Sequence, residues 1–131
     1  MENKQARQVM NTDVVTVTKD VKLTKAMRIM LDHRVSGLPV VERNTKKLVG
    51  IITEHDTVNF AFSGDADATN VGEAMTNEVF TFSPDVSLER IVNCFATNRV
   101  RRVPIVENQV VVGIVSRRDI MREILSMYGE V

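Results

Sequence analysis

Two stretches of this 131-residue chain carry residue types in a spacing that could do chemistry. Gly50-Ile51-Ile52-Thr53-Glu54-His55-Asp56 and Gly113-Ile114-Val115-Ser116-Arg117-Arg118-Asp119 share one order: glycine, two hydrophobic residues, a hydroxyl residue, and an acid three positions later. In both, a β-branched run gives way to a helical pattern at the hydroxyl. A helix start offers unpaired N–H groups and partial positive charge, which suits an anion such as phosphate. A carboxylate beside it can accept two hydrogen bonds from a vicinal diol, as the acid of dinucleotide folds does for ribose. The same residues also fit a capping box with no ligand at all. The spacing leaves both readings open.

A second pair of segments differs between its two occurrences. Val35-Ser36-Gly37-Leu38-Pro39 has small residues, leaving room for a flat base or sugar. Val100-Arg101-Arg102-Val103-Pro104 has adjacent arginines, whose planar forks suit phosphate oxygens. With Arg99, Arg117 and Arg118 they make five arginines at two loop ends, which could equally be a solvated basic face.

The elements that must position these residues are written twice. Val14 matches Val79, Asp20 matches Asp85 and Pro39 matches Pro104 at an offset of 65 positions, which becomes 63 from Gly50/Gly113 onward. The first copy therefore has two extra residues near Asn44–Lys47, as suits a surface hairpin. Val14, Val15 and Val17, like Val79, Phe80 and Phe82, predict a strand. Leu23, Ala26, Met27 and Met30, and then Leu88, Ile91, Val92 and Phe95, give an apolar stripe on a helix. Two apolar strands follow in each copy, with burial expected on both faces, then helices from Glu54 to about Phe62 and from Arg117 to about Tyr128. The expected fold is α+β, a β-α-β-β-α unit repeated, with copies over 1–66 and 67–131. Ser63–Asn70 reads as a linker by composition.

The totals narrow the function. Seventeen basic residues balance seventeen acidic ones, and the aromatic residues are not interleaved with the arginines, which argues against nucleic acid. The single cysteine, Cys94, forms no internal disulfide, and no Cys/His spacing suggests a metal. His33 and His55 belong to no nucleophile–base–acid set, so neither an enzyme nor a required cofactor is expected. No signal peptide or membrane span is apparent, and a cytoplasmic location is the expectation. Copies of about sixty residues bury too little surface to stand alone, so the halves should act as one unit.

The repeated residues, with His33-Arg34-Val35-Ser36-Gly37-Leu38-Pro39-Val40-Val41 and Gly50–Asp56 in the first copy, resemble a CBS (cystathionine-β-synthase) domain, and the pair resembles a stand-alone Bateman module. The resemblance covers about Arg7 to about Leu125. It implies two CBS repeats packed through their sheets with pseudo-twofold symmetry, and two clefts that take adenine nucleotides (AMP, ADP or ATP) as regulatory ligands. S-adenosylmethionine or NAD(H) are alternatives. Carried over by position, Asp56 and Asp119 would accept from ribose hydroxyls, and Thr53 and Ser116 would touch phosphate or sugar. Thr12, Val35, Ser36 and Gly37 would border the base in the first site; Asn77, Val100 and Arg101 would do so in the second. Arg101, Arg102 and Arg118 would meet phosphates, and His55 could reach a ligand beside Asp56. A homodimer is expected, signalling to a separate, unidentified effector protein. The competing reading is a dimerisation module without a ligand, formed by Met121, Ile124, Leu125 and Met127.

Overall fold

In each copy an amphipathic helix covers a two-stranded antiparallel hairpin, and a second helix leaves the hairpin at the hydroxyl residue. This is the arrangement in the computed structural model, which describes residues 3–129. The elements in chain order are α1 (Ala6–Val9), α2 (Leu23–His33), β1 (Gly37–Val41), β2 (Leu48–Thr53), α3 (Glu54–Ser63), α4 (Val71–Ala74), α5 (Leu88–Thr97), β3 (Arg102–Glu107), β4 (Val110–Ser116) and α6 (Arg117–Met127). The fold is α+β, with two small sheets, β1-β2 and β3-β4.

The predicted stripes are the buried faces. Leu23, Ala26 and Met30 of α2 pack with Leu38, Val40 and Ile52; Leu88, Ile91 and Phe95 of α5 pack with Val103, Ile105 and Val115. Cys94 is buried in the second of these cores, as a small apolar side chain would be. All of β1 is buried, whereas β4 is buried only at Gly113 and Val115. The predicted first strand of each copy is shorter than expected. It is reduced to one parallel bridge, Val17 to Val40 and Phe82 to Ile105. Val17 donates to Pro39 O and accepts from Val41 N, after which the chain turns away.

The hairpins place the length difference where the offset predicts it. Asn108 and Gln109 both have positive φ (52° and 69°), the geometry of a two-residue turn whose twist matches its strands. The first copy closes instead through Glu42–Lys47, where the Glu42 carboxylate accepts from the amides of Asn44 and Thr45 at 3.0 and 2.6 Å. Both hairpins break register one residue after the glycine pairing, Val40 with Gly50 and Ile105 with Gly113.

The compact units do not coincide with the copies at 1–66 and 67–131. One contains Val15–Val79; the other joins the described residues up to Val14 with the chain from Phe80 onward. The cause is an exchange of short segments. Helix α4 and Met75-Thr76 of the second copy dock on β2, with Thr76 and Ile51 exchanging two backbone bonds at 2.8 and 2.9 Å. Helix α1 and Met10-Asn11 of the first copy dock in the same way on β4, with Asn11 and Ile114 paired at 2.9 and 3.0 Å. Glycine is required beneath each. A Cβ on Gly50 would lie 2.7 Å from Met75 Sδ and 2.8 Å from Thr76 O, and one on Gly113 would lie 2.5 Å from Met10 Sδ. The segment read as a linker is docked too: Thr69 is buried, its hydroxyl donates to Asp65 O, and its carbonyl accepts from Leu23 N.

Candidate functional site

The strand-to-helix junctions gather most of the candidate residues, and they do so through backbone bonds. Glu54 N, the first amide of α3, donates to Ser36 O at 3.0 Å; Arg117 N, the first amide of α6, donates to Arg101 O at 2.9 Å. Gly37 pairs with Thr53 and Arg102 with Ser116 as the first rungs of their hairpins. The variable turn is therefore held against the helix start in both copies.

At both junctions the capping box forms. Asp56 N donates to Thr53 Oγ1 at 3.2 Å, while Thr53 N and Thr53 Oγ1 donate to Asp56 Oδ2 at 3.0 and 2.9 Å. Asp119 N donates to Ser116 Oγ at 3.3 Å, and Asp119 Oδ2 accepts from Ser116 N and Oγ at 2.7 and 2.9 Å. Each cap occupies a single carboxylate oxygen, Oδ2. Capping and diol binding are thus compatible on the same acid. The geometry also limits the helix starts as anion sites, because the first and third amides of each helix already have protein acceptors. Both hydroxyl protons are given to the acids, so Thr53 and Ser116 present lone pairs outward, suited to a sugar hydroxyl more than to phosphate.

The Oδ1 atoms differ. Asp56 Oδ1 has the Thr76 hydroxyl at 3.5 Å, a long contact. Asp119 Oδ1 accepts from Arg122 Nη1 at 2.9 Å, an ion pair one turn along α6. Neither Thr76 nor Arg122 was expected from the sequence. Arg122 was legible in principle, since a residue three positions beyond an acid on a helix shares its face. Thr76 reaches Asp56 only through the exchanged segment.

The remaining candidates fall as follows. Val35, Ser36, Gly37, Thr53, His55 and Asp56 lie in the Val15–Val79 unit; Val100, Arg101, Arg102, Ser116, Arg118 and Asp119 lie in the other. Thr12 and Asn77 are both exposed and trade places relative to the expectation from chain order. Thr12 follows Asn11 and lies in the unit that contains Asp119, and Asn77 follows Thr76 and lies in the unit that contains Asp56. His55 Nε2 meets Asn59 Nδ2 at 3.1 Å along its own helix, and His33 ends α2 in solvent. Arg117 leaves the arginine group: its Nη2 donates to Phe95 O at 3.1 Å and satisfies a carbonyl near the end of α5.

Beside the first junction, α2 and α3 form a groove of about 450 Å³, lined by Met30, Leu31, Val35, Glu54, Val58 and Phe62 among others. Phe62 is 90% and Leu31 79% exposed. On α6, Met121, Ile124, Leu125 and Met127 are exposed as well, and so is Tyr128 just beyond its end. Among the described residues no group of His, Cys, Asp and Glu is placed to hold a metal, and no helix is long and apolar enough to cross a membrane.

Comparison with known proteins identifies the family and the fold. The family model of the CBS domain matches twice, over residues 6–62 and 71–126. The CBS domain-containing protein YhcV of Bacillus subtilis is 33% identical over 115 residues, covering 87% of this chain and 81% of YhcV. Inosine-5′-monophosphate dehydrogenase of Methanocaldococcus jannaschii is 37% identical over 120 residues; the match covers 91% of this chain but spans only 23% of that enzyme. A CBS domain pair crystallised with 5′-methylthioadenosine and S-adenosyl-L-methionine superposes with a TM-score of 0.85 at 26% identity, covering 95% of this chain and 98% of that one.

Proposed function

Because the chain belongs to the CBS-domain family as a tandem pair of repeats, we propose that it binds adenosine-containing ligands, adenine nucleotides first, and acts as a regulatory sensor and not as an enzyme. The observation that carries this reading is the repeated junction in which Oδ2 of Asp56 or Asp119 caps a helix while Oδ1 is left to other partners. A diol accepted at Oδ1 would meet the outward lone pair of Thr53 or Ser116 as a second acceptor. Binding of 5′-methylthioadenosine and S-adenosyl-L-methionine by the CBS pair named above supports the adenosyl part of the ligand.

In this reading Val35, Ser36, Gly37 and Asn77 serve the Asp56 side, and Thr12, Val100, Arg101, Arg102 and Arg118 the Asp119 side. The arginines make the second side the one suited to polyphosphate. Signalling passes to a separate effector protein through a change in shape or assembly, which requires the ligand to favour one of two states.

The exposed apolar groove between α2 and α3 and the apolar residues of α6 favour self-association alongside ligand binding. A thermal-shift and calorimetry screen with AMP, ADP, ATP, S-adenosylmethionine and NADH tests the proposal. A ligand present at a hundred times its dissociation constant should add about 2.7 kcal/mol of stability. No response to any of them leaves the ligand-free association module as the function. Alanine at Arg101 and Arg102 should weaken ATP more than adenosine, and equal weakening of both removes the phosphate role.

A further inference from the structure

The two acids at the centre of the proposed sites differ in one partner. Asp119 has both carboxylate oxygens engaged: Oδ2 by Ser116 N and Oγ, and Oδ1 by Arg122 Nη1 at 2.9 Å. Asp56 has Oδ2 engaged by Thr53 N and Oγ1, and among the described residues only the Thr76 hydroxyl beyond them, at 3.4 Å from Oδ2 and 3.5 Å from Oδ1. By the repeat offset of 63, Arg122 corresponds to Asn59, which turns its amide toward His55. A vicinal diol approaching Asp56 meets an oxygen with one weak contact. One approaching Asp119 must share Oδ1 with a charge-assisted hydrogen bond that already takes one of its two lone pairs.

We infer that Arg122 is a specificity-determining residue that makes the Asp119 side the weaker diol acceptor, so that a ribose-bearing ligand fills the Asp56 side first. The inference rests on the adenosyl reading proposed above. The Asp119 side chain is 16% exposed and that of Arg122 69%, so solvent screens the pair and its effect is modest. Exposed pairs of this kind correspond to about a two- to fivefold change in affinity. The sign is distinctive, because removing a cation beside a nucleotide site ordinarily weakens binding, whereas here it should strengthen the part owed to the diol.

The test is calorimetry on the full chain, comparing AMP with 2′-deoxy-AMP, whose affinity ratio isolates the diol from base and phosphate. Arg122→Asn, which copies the first repeat, should raise that ratio about two- to fivefold in one binding event. Asp119→Asn should collapse the ratio in the same event, and Asn59→Arg should lower it in the other. Arg122→Gln, a better helix former, should repeat the first result and guards against loss of folding. An unchanged or lowered ratio in both Arg122 variants overturns the role of Arg122 while leaving the adenosyl reading in place. If the wild-type chain binds neither AMP nor any other adenosyl ligand, the reading itself fails and the inference with it.

Discussion

The same side chains can terminate a helix and recognise a ligand, because each function uses a different atom. Thr53 and Ser116 cap their helices through hydrogen bonds to the amides of Asp56 and Asp119. Thr53→Ala and Ser116→Ala should each cost about 1 kcal/mol in thermal or urea unfolding, whether or not ligand is present. Arginines near the second junction separate by the same logic. Arg117→Ala removes the donor to Phe95 O and should cost about 0.5–1.5 kcal/mol of stability with nucleotide affinity unchanged. The Arg101→Ala and Arg102→Ala pair should instead lower ATP affinity, read by calorimetry. The caps were legible at this scale because hydroxyl and acid stand three residues apart, so their meeting is local. The Arg122 contact is equally local, but an acid and a base three positions apart on a helix signal an ordinary surface pair and single out no site.

Elements show where glycine and turn chemistry decide the packing. The two glycines that accept the exchanged segments are not equivalent. All three nearest neighbours of a Cβ on Gly113 are side-chain atoms of Met10, whereas a Cβ on Gly50 also meets the backbone oxygen of Thr76. Gly50→Ala should therefore destabilise more than Gly113→Ala, by about 1–3 kcal/mol for overpacking of this kind. A second substitution, Met10→Ala, should recover part of the Gly113→Ala loss, while Met75→Ala should recover little of the Gly50→Ala loss. A double-mutant cycle measures the difference. The hairpins offer a milder test. Gln109 at φ 69° occupies the turn position that glycine prefers, so Gln109→Gly should raise stability by up to about 1 kcal/mol.

In the longer first hairpin, the amides of Thr45 and then Asn44 hold the Glu42 carboxyl below the usual range. Its contribution is complete above the ordinary glutamate pKa and is lost as pH falls through the lowered one. Glu42→Gln should accordingly flatten the acid side of the stability profile. Helix positions and the hairpin length difference were readable from periodicity and offset. The first strands were over-read, because a β-branched run signals extended backbone without saying how many residues find a partner.

Across the whole molecule, the exchange of segments sets the behaviour. Ala6 lies in the core made by Leu88, Ile91 and Val103, and Asn11 O accepts from Ile114 N. Deleting residues 1–11 should therefore loosen the unit built on α5, β3, β4 and α6. Hydrogen exchange should report lost protection at Ile114, with Ile52 and Leu38 less affected. A deletion that unprotects the two units equally would count against this assignment.

The sequence by itself determined the duplication, the helix–hairpin–helix order within each copy, the apolar faces of α2 and α5, and the hydroxyl–acid caps. All of these depend on spacings of a few residues or on one copy being compared with the other. Only the tertiary structure decided which copy's leading segment covers which hairpin, and hence that Thr12 shares a unit with Asp119 and Asn77 with Asp56. Both segments present a methionine followed by a polar residue, and both hairpins present a glycine to receive it. Local pattern is satisfied by either pairing, so the choice rests on long-range packing, which no spacing along the chain records.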